Sequence, residues 1–189
     1  GVKAEGGCGS GYRGMRYGPL LHEKSGMRAR RKVTLRNQPV IGIDNRENIL
    51  GMLARNEADL VVMGRAPKTL DCEAIPFATN PLSIVCAPDH ALSRRKHLPF
   101  NALGEYGFVV REQGSGTRAA MERLFAQNEI ALKVVMEMPS NETIKQAVMA
   151  GMGLSFLSLR TVRHELANGY IALVDVAGMP MVGNWYVTH

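Results

Sequence analysis

The chain has 189 residues, of which 46% are hydrophobic and 21% charged, a balance that suits a soluble globular protein of one domain or two small lobes. No apolar run approaches the roughly 20 residues needed to span a bilayer, and the N-terminus has no signal-peptide core, so a cytoplasmic protein without membrane contact is expected. The net charge of +6 is local: residues 1 to 38 hold nine basic and two acidic residues and the other 151 carry a net −1, which argues against a basic nucleic-acid-binding face spread over the folded body.

Residues 1 to 38 also hold eight of the twenty glycines. Only Gly18-Pro19-Leu20-Leu21 and Val33-Thr34-Leu35 resemble a helix start and a strand. The segment reads as solvated chain or as a basic arm for nucleic acid. From Asn45 the pattern becomes regular. Asn45 is placed to cap a helix with Ile49, Leu50 and Leu53 on one face, and Leu60-Val61-Val62-Met63 follows as a buried strand ended by Gly64-Arg65. Leu82 to Ala87 is a second strand, halted by Pro88. The polar stretch from His90 to Phe100, with the exposed run Arg94-Arg95-Lys96, marks a lobe boundary.

Phe108 to Val110 predicts a strand, Gly114 and Gly116 a sharp turn, and Ala120, Met121, Leu124 and Phe125 a helix capped by Ser115. Such a helix points its N–H groups and positive dipole end into the turn, where Ser115, Gly116, Thr117 and Arg118 suit an anion. Serine caps also begin many helices that bind nothing. A P-loop needs Lys followed by Ser or Thr after the second glycine, and Thr117-Arg118 is not that.

The unit then repeats. Val134 to Met138 is a strand, and Ser140-Asn141-Glu142-Thr143 opens a helix with Ile144, Ala147 and Val148 inward. Leu154 to Leu159 is a strand, Arg160 to Leu166 a short helix, and Ile171 to Val176 and Asn184 to Thr188 are the last strands. Strands alternating with helices imply a parallel α/β architecture, with ligands beyond the strands' carboxyl ends. Two such turns would face one crevice, with Gly64 and Arg65 on the opposite wall.

Cys8, Cys72 and Cys86 are too few and scattered for a disulfide framework or zinc site, and the five histidines show no metal spacing. Gly114-Ser115-Gly116 has the wrong spacing for a nucleophile elbow, so no catalytic role is assigned.

Three groups of residues carry a resemblance. The first is Asn45-Arg46-Glu47-Asn48-Ile49 with Glu57 to Gly64. The second is Pro81 to His90 with Arg111 to Arg118. The third is Ser140 to Val148 with Gly151 to Ser158. In this order and at these distances they resemble the effector-binding domain of LysR-type transcriptional regulators, most closely the CbbR-type regulators of Calvin-cycle operons. The resemblance implies an α/β fold of two Rossmann-like subdomains joined by two crossing strands, Leu82 to Ala87 and Leu154 to Leu159, like type 2 periplasmic binding proteins. Lobe I would hold residues 45–87 and 160–189, and lobe II residues 88–159. Residues 1–44 would be an atypical, glycine-rich start of lobe I, with Ser10 the hydroxyl nearest the family's ligand-contacting position.

The resemblance further implies a small anionic metabolite between the lobes, such as NADPH, ribulose bisphosphate or phosphoenolpyruvate. It also implies a homodimer or homotetramer, and RNA polymerase as a partner of the full-length protein. Operator DNA would be reached only through an N-terminal winged helix-turn-helix, which this chain lacks. A periplasmic-type solute-binding protein for a small anion is the alternative.

Overall fold

The computed structural model describes residues 2–5, 41–65 and 70–189. Among them the elements run β1 (Val2–Glu5), β2 (Ile41–Asp44), α1 (Arg46–Ala54), β3 (Leu60–Met63), β4 (Ala74–Cys86), β5 (Phe108–Arg111), α2 (Gly116–Gln127), β6 (Val134–Met138), α3 (Asn141–Met149), β7 (Ser155–Ser158), α4 (Arg163–Ala167), β8 (Ala172–Leu173) and β9 (Met181–Thr188).

The larger sheet has the order β2-β1-β3-β9-β4-β7, with β8 also on β4. β1 pairs in parallel with β2 and β3, whereas β9 runs antiparallel to both β3 and β4. The parallel sheet expected from strand-helix alternation is therefore a mixed one. The chain returns through β9 without a crossover helix, and a return of that kind inserts antiparallel.

One long strand links the lobes. The first part of β4, Ala74 to Leu82, pairs with β9, and its last part pairs with β7 from Leu82↔Ser158 to Val85↔Ser155. Of the two crossing strands expected from the sequence, Leu82 to Ala87 falls at the end of β4, which crosses. Leu154 to Leu159 becomes β7, whose chain neighbours on both sides stay in the second lobe, so the second crossing is made by β9 and β7 only pairs with the end of β4. Their junction is pinned by Ser158 Oγ and Asn80 Oδ1, buried and 2.6 Å apart, and by the Leu159 N–H donating to the Pro81 carbonyl at 2.8 Å.

β5 and β6 pair in parallel as a second sheet. The Val109 N–H donates to the carbonyl of Leu154 at 2.8 Å, tying β5 to the start of β7. Side-chain alternation along these strands builds two cores on opposite faces. Ile84, Phe108, Val110 and Phe156 pack with Met121 and Phe125 of α2, while Val85, Val109 and Leu157 pack with Ile144, Ala147 and Val148 of α3. Strands buried on both faces read as continuous apolar runs, which made them visible in the sequence. A smaller core of Ile49, Ala58, Val61 and Met63 holds α1 against β3.

The boundary placed at residue 160 shifts. Val162 and Ile171 belong to the α3 core, and Val174 and Val176 to the α2 core. The Leu98 N–H also donates to the Asp175 carbonyl at 2.9 Å. Residues 160 to 176 thus pack on the second lobe, because their apolar positions complete its two cores, and only β9 returns to the first. The expected helix from Arg160 begins at Arg163, and the expected strand Ile171 to Val176 shortens to β8. Ile41–Asp44, assigned to the atypical start, is a strand paired with β1. The fragments around Pro19 and Val33 lie outside the described residues.

Candidate functional site

β5 ends at Arg111, and the chain turns through Gly114, whose φ of +83° is the left-handed region that glycine enters without strain. Ser115 holds the N-cap position of α2 with extended backbone angles, but its side chain makes no capping hydrogen bond. The expected hydroxyl cap is therefore corrected. Ser115 is buried, and Thr117 is half-buried.

Arg118 departs further from expectation. Its Nε donates to Glu122 at 2.8 Å, and its Nη1 donates to the Arg111 carbonyl at 3.0 Å and to the Glu137 carboxylate. Burial alone would lower the pKa of this guanidinium, but the two carboxylates outweigh it and hold the pKa above the ordinary arginine value. Arg118 thus buttresses the turn, because its charge is already neutralised by a neighbour one helical turn away and by β6. Arg111, only 4% exposed, is likewise committed. It donates to both Glu112 carboxylate oxygens, at 2.7 and 2.8 Å, and to Asn141 Oδ1 at 3.1 Å.

That last contact joins the two helix-opening turns. Asn141 is buried at the start of α3, and Ser140 Oγ caps α3 by accepting from the Thr143 N–H at 3.2 Å. Ser140 is the local cap that its sequence context allowed. Glu142 is exposed and binds Lys145 Nζ at 2.7 Å; the same ammonium reaches Glu165 at 2.7 Å.

The opposite wall is α1. Asn45 Oδ1 caps the helix by accepting from the Asn48 N–H at 3.0 Å. The Glu47 N–H donates across to the Gly114 carbonyl at 3.2 Å. Arg46 Nη1 donates to the Arg65 carbonyl at 2.7 Å and lies 3.4 Å from Met63 Sδ, which draws the end of β3, with half-buried Gly64 and exposed Arg65, toward the α1 start. Between the lobes lies a groove of about 230 Å³, with Arg46, Glu47 and Leu50 on one side and Gln113, Gly114, Ser115, Arg118, Ala119 and Glu122 on the other.

Of the residues singled out from the sequence, Ser115 and Arg118 line this groove. Gly116 and Thr117 lie between them in the first turn of α2; of the α3 turn, Asn141 contacts Arg111, and Ser140 and Glu142, like Gly64 and Arg65, do not line the groove. Ser10 lies outside the described residues. Sequence reasoning missed Arg46, Glu47 and Gln113. The available signal was the Asn45 cap, which marks a third helix start, but nothing local showed that α1 opens toward Gly114. Among the described residues no group of three His, Cys, Asp or Glu side chains could hold a metal, and no helix is long and apolar enough to cross a membrane.

The LysR substrate binding domain profile matches residues 38–189. The chain belongs to this family. This LysR-type domain is 43% identical over 150 residues to a RuBisCO operon transcriptional regulator of Acidithiobacillus ferrooxidans, covering 79% of the chain and 48% of that protein. It is 48% identical over 145 residues to the HTH-type transcriptional regulator CbbR of Rhodospirillum rubrum, covering 77% and 48%. The chain spans about half the length of the curated relatives it matches. Among solved structures, the Synechocystis PCC6803 CcmR regulatory domain in complex with 2-PG superposes with a TM-score of 0.75 at 36% identity, covering 79% of the chain and 72% of that domain. The effector binding domain of QuiR with shikimate, at 18% identity and a TM-score of 0.69, shares the fold. The architecture is that of type 2 periplasmic-binding-protein-like effector domains, as the resemblance implied.

Proposed function

We propose that this chain is the effector-sensing domain of a LysR-type transcriptional regulator of CO2-fixation genes, and that it binds an anionic metabolite between its lobes. The observation that carries the proposal is the groove itself, where the N-terminal turns of α1 and α2 face each other from different lobes. A helix N-terminus favours an anion through its dipole and its unbonded N–H groups; in α1 the Glu47 and Asn48 N–H groups already donate to Gly114 and Asn45, so α1 contributes chiefly through its dipole. The relatives' names supply the gene context, and the CcmR complex supplies a phosphorylated carboxylate, 2-phosphoglycolate, as the kind of ligand to test.

NADPH, ribulose bisphosphate and phosphoenolpyruvate share the phosphate group of 2-phosphoglycolate, and of these only phosphoenolpyruvate is also a carboxylate. A ligand touching both lobes stabilises the arrangement in which both walls reach it, and shifts the equilibrium only by its difference in affinity between arrangements. In a homodimer or homotetramer that shift would reposition DNA-binding domains carried elsewhere in the full protein, and with them operator DNA and RNA polymerase contacts. The domain signals and does not catalyse. The solute-binding alternative loses ground because the relatives are transcriptional regulators.

Calorimetric titration with 2-phosphoglycolate, the three metabolites above and shikimate tests this reading. Saturable binding of at least one phosphorylated compound is expected, weakened by Thr117→Val. If no compound binds at millimolar concentration the anionic assignment fails, and if shikimate, a carboxylate without phosphate, binds best the phosphorylated class is excluded.

A further inference from the structure

Asn45 and Ser140 each cap the helix they precede, but Ser115, in the same position before α2, does not. Ser115 is 3% exposed and lines the groove, and among the described residues its hydroxyl has no hydrogen-bond partner. The N–H groups of Thr117 and Arg118, in the first turn of this 12-residue helix, therefore go without a side-chain cap. A buried hydroxyl lining the groove beside uncapped N–H groups is a donor set for one acid group, carboxylate or phosphate.

Over that turn lies Glu47 of the facing lobe. Its N–H donates to the Gly114 carbonyl at 3.2 Å, which holds the start of α1 against the residue before Ser115. The side chain folds back over the same glycine: Glu47 Cβ and Oε2 lie 3.1 and 2.8 Å from the point where a Gly114 Cβ would stand. Glu47 is exposed and, among the described residues, its carboxylate forms no ion pair. The two arginines that line the groove are engaged elsewhere, Arg46 with the Arg65 carbonyl and Arg118 with Glu122 and Glu137. Glu47 stands in the first turn of α1, whose dipole favours its charge there. A carboxylate so placed has the charge and the oxygens of an effector's acid group and is tethered at the mouth of the α2 turn.

Resting on the reading of this groove as the effector cleft, we propose that Glu47 is a built-in competitor of the effector. Its carboxylate screens the α2 turn, and an anionic ligand reaches Ser115 and the Thr117 and Arg118 N–H groups only when the Glu47 side chain rotates away. That rotation leaves the Glu47 N–H on Gly114, so the two walls keep their register while one anion replaces the other. The apparent affinity is the intrinsic affinity reduced by the fraction of time the side chain is turned aside. A weak monoanion is thereby kept out at concentrations at which a ligand with further contacts binds.

Titration of the whole 189-residue chain with 2-phosphoglycolate, inorganic phosphate and glycolate tests the competitor in wild type, Glu47→Gln and Ser115→Ala. Glu47→Gln keeps the backbone N–H and the side-chain shape but loses the dipole contact, so it should melt slightly lower. Its affinity for 2-phosphoglycolate should nevertheless rise about fivefold, the worth of one exposed charge interaction. A Glu47 with a structural role alone would lower stability and affinity together. Ser115→Ala should weaken 2-phosphoglycolate binding about tenfold, the effect of losing one charged hydrogen bond. A gain in Glu47→Gln shared by inorganic phosphate, or instead by glycolate, supports the competitor and tells which acid group the turn holds. Unchanged or weaker binding by Glu47→Gln, with wild-type binding intact, overturns the competitor and leaves the cleft in place. Wild-type affinity in Ser115→Ala overturns the seat that Glu47 is proposed to screen. Absence of binding by any of the three compounds to both wild type and Glu47→Gln removes the competitor and the cleft reading together.

Discussion

Arg118 Nη1 donates to the main-chain carbonyl of Arg111 at 3.0 Å, so a side chain of α2 closes the end of the strand that leads into its own helix. The same guanidinium binds Glu122 and Glu137. Arg118→Ala should lower stability by about 1–2 kcal/mol: charged hydrogen bonds are lost, but both carboxylates are nearly half exposed and return to water. Glu137→Gln should cost less than about 1 kcal/mol. Urea denaturation measures both, and an Arg118→Ala variant as stable as wild type would show that the buttress contributes nothing.

Gly114 has no room for a side chain. A Cβ there would lie 2.8 Å from Glu47 Oε2, 3.1 Å from Glu47 Cβ and 3.3 Å from Asn45 Oδ1, at a φ of +83°. The Glu47 carboxylate can swing aside; the backbone conformation and the Glu47 Cβ cannot. Gly114→Ala should destabilise the chain by about 1–2 kcal/mol through the left-handed conformation. It should also weaken effector binding by pushing α1 from the turn. Thermal melts and titration of the same variant separate the two effects, and unchanged affinity would mean the α1 contact is irrelevant to binding.

Lys145 and Glu165 make a pH-dependent brace between α3 and α4. Burial would raise the Glu165 pKa, but its hydrogen bond to Lys145 outweighs that and depresses it. Burial would lower the Lys145 pKa, but Glu142 and Glu165 raise it. A depressed carboxylate stabilises the fold above its unfolded pKa of about 4.3, and that contribution is lost as pH falls through the lower folded value. The raised ammonium contributes below its unfolded pKa of about 10.4, and its share is lost as pH rises through the higher folded value. The melting temperature of wild type should therefore fall more steeply below about pH 4 than that of Glu165→Gln. Parallel acid limbs in differential scanning fluorimetry would rule the brace out.

Cys86 is fully buried, and burial, reinforced by Asp89, pushes its thiol up to about 11. The thiolate is the reactive form. Iodoacetamide at pH 8 should label half-buried Cys72 and spare Cys86 until urea unfolds the chain, as read by peptide mass spectrometry. Equal labelling rates in the native state would contradict the burial. The unfolded thiol ionises near pH 8.5, so stability should also decline between there and about pH 11.

Elements whose cause is local were legible from their residues. Leu60–Met63 and Val134–Met138 have the bounds read from their apolar runs, and Asn45 and Ser140 cap the helices they were expected to cap. β4 was half seen. Its second part is an apolar run, whereas Ala74 to Pro81 is proline-broken and largely exposed, and becomes a strand only because β9 pairs with it.

By itself the sequence determined the family, the alternation of helices and strands, and the two glycine or serine turns, because propensity, capping and apolar period act within a few residues. The tertiary structure alone decided which charges are spent and which remain. Glu122 lies one turn from Arg118, but Glu137 reaches it from another strand, so the cation that looked ready for an anion is internal. Glu47 and Gly114 are likewise far apart in the chain, and only the packing of α1 against the turn before α2 brings the Glu47 N–H to the Gly114 carbonyl, because contact follows distance in space and not separation in sequence.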